Sequence, residues 1–189
     1  MLIDYASPDD AAGLADLGAR TFTDKFGHLY RPEDLSSFLD ETHSLAAWEN
    51  LLSDAQNKVW VARNERRRLV AYGMVGPVSL PIDGSDSADA VELKRLYVDQ
   101  SAQGQGLGTR MLELMLDWID RDGKPPIYLS VYKYNDGAQR LYERYGFRFL
   151  KEITFKVGDH YDPEYLYGRT IERLGAEDHA ESERLGNAE

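Results

Sequence analysis

Apolar residues recur along the chain in two rhythms, one near 3.6 and one near 2, and polar or glycine-rich stretches separate them. Leu2 to Tyr5 reads as a short strand. Ser7-Pro8-Asp9-Asp10 then opens a helix, with a capping serine, proline at the first helical position and acids in the first turn. That helix is expected to run to about Arg20, followed by an aromatic-rich connector from Phe22 to Tyr30 that could line a site or fill a gap in the core. Leu35, Phe38 and Leu39 after Arg31-Pro32, and Leu45, Trp48, Leu51 and Leu52 after His43-Ser44, predict two more helical pieces.

The rhythm then changes. Lys58 to Arg63 and Leu69 to Val75 are apolar runs around the charged turn Asn64 to Arg68, the pattern of an antiparallel hairpin. Residues 77–90 have loop composition, and Val91 to Val98 is a strand leading directly into a glycine-rich loop. Leu107, Met111, Leu112, Met115, Trp118 and Ile119 mark the buried face of the next helix, which Asp122-Gly123-Lys124-Pro125-Pro126 ends. Ile127 to Val131 reads as a buried strand. Asn135 is placed to cap a helix carrying Ala138, Leu141, Tyr142 and Tyr145 on one face, with Gly146 beyond its end. Phe149 to Val157 and Tyr165 to Ile171 read as strands joined by Gly158-Asp159-His160. This order calls for an α/β chain of the α+β kind, a mixed sheet with helices on its faces, since a doubly wound fold alternates more strictly.

Composition narrows the chemistry. The 189 residues suit one domain over 1–171, with an acidic, disordered tail over 172–189 that carries a net charge of −4. There is no cysteine, so disulfides, thiolate metal sites and a cysteine nucleophile are excluded. No spacing of histidine and carboxylate suggests a metal ligand set. The net charge of −11 opposes nucleic acid and anionic lipid as partners and suits a cationic small molecule. Met1 to Tyr5 has no basic region followed by an apolar run, and no stretch approaches the roughly 20 apolar residues that span a bilayer, so the cytoplasm is the expected compartment.

The loop Gln103-Gly104-Gln105-Gly106-Leu107-Gly108 carries the clearest chemical signal. Glycines between a strand and a helix let backbone N–H groups approach an anion, and the helix start adds its free N–H groups and positive dipole end. No Lys-Ser or Lys-Thr follows the last glycine, as a P-loop requires, and Gly104, Gly106 and Gly108 miss the dinucleotide spacing. Roughly a hundred residues precede the loop, whereas a dinucleotide fold usually places its loop after the first strand. Another pyrophosphate carrier remains.

Leu96-Tyr97-Val98 followed by Gln103-x-x-Gly106-x-Gly108 resembles the central motif of the GNAT superfamily of N-acetyltransferases. Asn135-x-x-Ala138-x-x-Leu141-Tyr142, closing with Tyr145-Gly146-Phe147, resembles the family's later strand-helix segment at its spacing. The resemblance implies a GNAT fold with a mostly antiparallel sheet, and an acetyl group passed from acetyl-CoA to a primary amine by direct attack. It implies that the backbone of Leu96, Tyr97 and Val98 holds the pantetheine arm, that Gln103, Gly104, Gln105, Gly106, Leu107, Gly108 and Thr109 hold the pyrophosphate, and that Asn135 touches the cofactor arm. Tyr142 would be the acid that protonates the leaving thiolate. Glu92, on the strand leading into the tripeptide, would be the base, or would fix water or substrate; strict alternation puts it on one face with Lys94 and Leu96. Homodimers are common in the family.

Glu92 to Val98, Leu129 to Asn135, Phe155 to Asp159 and the connector Thr23 to Tyr30 are most similar to PaiA-type spermidine/spermine N-acetyltransferases. Glu41, Glu92 and Asp159 are the acids that could wall a polycation site. His28 and His160 read as surface or capping residues. The competing readings are acetylation of a protein N-terminal amine or another small amine, and a CoA-binding sensor without catalysis. Ser130 stands where N-terminal acetyltransferases often carry an acid.

Overall fold

The computed structural model describes residues 1–82, 90–121 and 125–169. In chain order these form β1 (Leu2–Tyr5), α1 (Ala11–Phe26), α2 (Pro32–Thr42), α3 (Leu45–Ser53), β2 (Lys58–Arg63), β3 (Leu69–Pro77), β4 (Val91–Val98), α4 (Leu107–Arg121), β5 (Ile127–Tyr132), α5 (Asp136–Arg144), β6 (Arg148–Val157) and β7 (His160–Arg169). The strands make a seven-stranded sheet in the order β1-β2-β3-β4-β5-β7-β6. Every pairing is antiparallel except β4 with β5.

Period-2 alternation assigns the strands' side chains to two layers. On β2, Val59 and Val61 join Leu14, Leu17 and Trp48 under α1 and α3, the front face. Trp60 and Ala62 join Met111, Leu112, Met115 and Ile119 of α4, the back face, which α5 extends through Tyr142. The fold is thus the mixed sheet with helices on both sides that the element order calls for.

Helix α1 runs to Phe26, six residues beyond the sequence expectation, and absorbs most of the aromatic connector. Thr21 is weak in helices by propensity, but its hydroxyl donates to the Leu17 carbonyl at 2.8 Å. Phe22 is buried against Phe38, with ring centroids 4.6 Å apart, so packing outweighs propensity here. The first cap is also reversed. Ser7 leads only a short turn over Pro8–Asp10, and the Asp10 carboxylate accepts the Ser7 N–H at 2.8 Å and its hydroxyl at 3.1 Å. Asn135 precedes α5, but its side chain makes no capping bond; its carbonyl accepts from Ala138 and Gln139 instead.

β7 starts at His160, five residues before the expected Tyr165, despite Pro163. Residues 83–89, 122–124 and 170–189 hold the rest of the long loop, the expected end of α4, the last two residues of the expected final strand and the acidic tail; these lie outside the described residues. Among the described residues no helix is long and apolar enough to cross a membrane.

The β6–β7 turn locks the front layer in place. Gly158 has φ +59°, and a Cβ there would lie 2.5 Å from the Asp34 Cα on α2. Asp34 accepts the Asp159 N–H at 2.7 Å and the Arg31 Nε–H at 2.7 Å. Gly158→Ala therefore combines left-handed strain with a backbone clash, and an urea unfolding midpoint should report a loss of about 2–4 kcal/mol.

Candidate active site

The sheet is split at its centre. β4 and β5 pair only at Val91 with Ile127 and Glu92 with Tyr128, and beyond these residues they diverge. Alternate backbone N–H and C=O groups of the second half of β4 therefore face a gap, with no ladder partner on β5. A cavity of about 630 Å³ fills this gap and passes between the two faces of the sheet. Its volume is in the range of small-molecule sites.

A bulge in β4 sets what enters the cavity. Met74 pairs with Arg95 and Val75 with Leu93, which leaves Lys94 as the extra residue. The bulge resets the alternation, so the expected common face for Glu92, Lys94 and Leu96 does not hold. Lys94 stays beside Glu92, at 3.2 Å. Leu96 turns to the back cluster with Leu93 and Val98, while Arg95 and Tyr97 join Glu92 at the front. Arg95 donates to the Thr42 carbonyl at 3.2 Å and lies over the Trp48 ring. Tyr97 stacks on Tyr72 at 5.4 Å, and burial pushes its hydroxyl up to about 12.

The glycine loop follows β4 directly and does not line the cavity itself. Gly104 and Gly106 have φ of +74° and +71°, and nothing lies within 4 Å of a Cβ built on either. The backbone there presents an open, side-chain-free surface at the start of α4, where the first N–H groups of the helix have no intrahelical acceptor. Leu107 is buried and anchors the helix, while Gln103, Gly104, Gln105 and Gly106 are exposed and Gly108 and Thr109 half-buried. The Gln103 amide donates to the Val98 carbonyl at 3.0 Å. Asp99, paired with Arg20 and Ser101, holds the turn between strand and loop; burial would raise its carboxyl, but these hydrogen bonds win and lower it to about 2.

From the back, α5 brings Asn135, Ala138 and Tyr142 to the cavity. Tyr142 is 8% exposed and its ring packs edge-on against Phe147. Among the described residues its hydroxyl has no hydrogen-bond partner. Burial, with a smaller contribution from Tyr97, pushes the hydroxyl well above an ordinary phenol, so it keeps its proton at neutral pH.

Four carboxylates line the cavity: Asp54 at the end of α3, and Glu92, Asp162 and Glu164 on the front of the sheet. One oxygen of Glu92 accepts the Ser79 N–H at 2.6 Å, the Ser79 hydroxyl at 2.8 Å and the Lys94 ammonium at 3.2 Å. Asp162 accepts from the Tyr30 hydroxyl and faces His160 at 3.2 Å. Glu164 is half-buried, yet its Oε2 is enclosed and has no hydrogen-bond partner among the described residues. Burial is the main cause that pushes its carboxyl up to about 7; Ser130 opposes, and the charges of Asp162 and Glu92 add.

Of the acids expected to wall the site, only Glu92 does so. Glu41 and Asp159 are exposed and outside the cavity lining. Phe26 and Tyr30 are the members of the 23–30 connector that line it, and His28 is exposed. Asp162 and Glu164 lie before Tyr165, where the last strand is expected to begin, and Pro163 between them weighs against a strand there. The signal available was the alternation of Asp162, Glu164 and Leu166 against Tyr165 and Tyr167.

The sequence profile described as "Acetyltransferase (GNAT) family" matches residues 23–147. An uncharacterised N-acetyltransferase of Mycobacterium tuberculosis (strain ATCC 25618 / H37Rv) is 31% identical over 162 residues, which are 86% of this chain and 98% of the relative. A spermine/spermidine N(1)-acetyltransferase of Bacillus subtilis (strain 168) is 36% identical over 88 residues, 46% of this chain and 57% of that protein. The crystal structure of the PaiA N-acetyltransferase from Thermoplasma acidophilum, in complex with coenzyme A, has a similar fold: the TM-score is 0.71 at 16% identity, over 90% of this chain and 100% of that one.

Proposed function

This chain belongs to the acetyltransferase (GNAT) family and is an acetyl-CoA-dependent N-acetyltransferase, and on that premise we propose that its acceptor is a polyamine of the spermidine and spermine class. The observation that carries the acceptor is the placement of Glu92, Asp162 and Glu164 at the front of one cavity, with Tyr142 at the back. A long cation with several ammonium groups matches several carboxylates better than a monoamine does. The partial likeness to the B. subtilis spermine/spermidine acetyltransferase supports the same class.

The residues fit the acetyl donor as follows. The open backbone at Gly104 and Gly106 and the N-terminus of α4 suit a pyrophosphate, with Gln103, Gln105, Leu107, Gly108 and Thr109 completing the cradle. The edge of β4 at Leu96, Tyr97 and Val98, which has no ladder partner on β5 and meets only the Gln103 amide at the Val98 carbonyl, suits the amides of a pantetheine arm, which would add to it as a strand does. Asn135 would meet that arm from α5. Tyr142, on the wall of the same cavity, would be the group to protonate the thiolate as the C–S bond breaks.

Incubating the protein with acetyl-CoA and a panel of polyamines, monoamines, amino acids, aminoglycosides and peptides, with free thiol recorded, tests this reading. Spermidine or spermine should exceed a monoamine of equal chain length in kcat/KM by about tenfold or more, the worth of one added charge-assisted contact. Faster turnover of a peptide with a free N-terminus would overturn the polyamine assignment.

A further inference from the structure

We propose that Glu164, rather than Glu92, takes the proton from the acceptor ammonium. The inference rests on the amine acetyltransferase reading above and assigns the base within that site.

Glu92 is badly placed for the task. Its Oε2 already accepts from the Ser79 N–H, the Ser79 hydroxyl and Lys94, so this oxygen is fully occupied by donors of the protein itself. It is suited instead to fixing the near end of a cation. Asp162 is engaged in the same way by Tyr30 and His160. His43 also lines the cavity, but burial and the charge of Arg95 lower it to about 3, too weak a base for an ammonium.

Glu164 is held more loosely: Ser130 is the one hydrogen-bonding group that opposes its raised carboxyl, and burial outweighs it. It stands opposite Tyr132 of β5 and Ile153 of β6, on the face of β7 that Asp162 and Leu166 share. Its Oε2 is enclosed in the wall of the cavity that also holds Tyr142, and has no partner among the described residues. The groups that face it are Asp162 on its own strand, Glu92 and Tyr97 from β4, and Ser130 and Tyr132 from β5. The cations nearby are turned elsewhere, Lys94 to Glu92 and Arg95 to Thr42 and Trp48. Its carboxyl, raised to about 7, is poised for proton uptake at neutral pH.

The protons balance. The ammonium gives one to the Glu164 carboxylate, and the neutral amine forms its bond to the thioester carbonyl carbon. The C–S bond breaks, and the thiolate takes the Tyr142 proton to leave as a thiol. The second amine proton returns to the Tyr142 oxygen directly or through water, and Glu164 releases its own to solvent.

The experiment is the pH dependence of kcat/KM for acetylation of spermidine between about pH 5.5 and 9.5, for the wild type, Glu164→Gln and Glu92→Gln. The wild type should rise through pH 7 and then level. In Glu164→Gln that limb should vanish, kcat/KM near neutrality should fall about 100-fold, and the rate should climb steadily towards pH 9.5 as free amine accumulates in solution. Glu92→Gln should keep the limb and raise the KM for spermidine. Acetyl-CoA affinity, measured by calorimetry, should stay within about threefold in both. Glu164→Asp, which keeps a carboxylate, should keep a limb at a lower rate and serves where the glutamine variant folds poorly. A limb that survives in Glu164→Gln and is lost in Glu92→Gln overturns the proposal. A wild type that acetylates peptides but no polyamine defeats the acceptor assignment instead, and the same three profiles with the peptide then decide Glu164.

Discussion

Tyr142→Phe should lower kcat about 100-fold and leave the affinity for acetyl-CoA unchanged. The substitution removes one oxygen and keeps the ring that packs against Phe147, so folding should be little affected. What is lost is the cavity-lining hydroxyl proposed as the proton donor. General acids contribute typically about 10²- to 10⁴-fold, and a thiolate, whose thiol resembles cysteine in acidity, needs less help than an alkoxide, which favours the low end. Single-turnover rates with calorimetric binding of acetyl-CoA separate the two quantities. Equal losses in binding and turnover, or an unchanged rate, would remove Tyr142 from the acid role.

Gly106→Asp should weaken acetyl-CoA binding by about 100-fold or more, which is about 2.7 kcal/mol. Nothing lies within 4 Å of a Cβ at this position, and aspartate tolerates φ near +71° better than most residues, so the free protein should lose only about 1 kcal/mol. The cost falls on the bound state, because the new carboxylate stands where the helix start would receive a pyrophosphate. Gly106→Ala separates the two components, since it adds bulk without charge and should weaken binding less. Equilibrium dialysis of acetyl-CoA against each variant measures both, and wild-type affinity in Gly106→Asp would exclude the loop as the anion site.

The split between what was legible and what was not follows the range of the interactions. β2 and β4 have the bounds read from alternation, and the back face of α4 is the stripe from Leu107 to Ile119. These are local patterns fixed by one period. The bulge at Lys94 broke that period for a reason that lies in the pairing with β3, and it moved Leu96 to the other face. α1 outran its expected end because Phe22 finds Phe38 on another helix. β7 inserts between β5 and β6, so its early start at His160 depends on partners on both sides that no local window contains. The site divides in the same way. The glycine loop and Tyr142 belong to contiguous motifs, whereas Asp162 and Glu164 become neighbours of Glu92 only through strand order.

The two residue pairs that join β4 to β5 make the sheet two blades with one short hinge of backbone between them. A carrier whose amides bond to the open side of β4 would act as the missing rung of this ladder, so occupancy and unfolding become linked. At a free concentration 100 times its Kd, such a ligand adds about 2.7 kcal/mol to stability. Amide exchange should then slow along β4 when acetyl-CoA is present, and the lifetime of the folded chain in a cell would track the supply of its own acetyl donor.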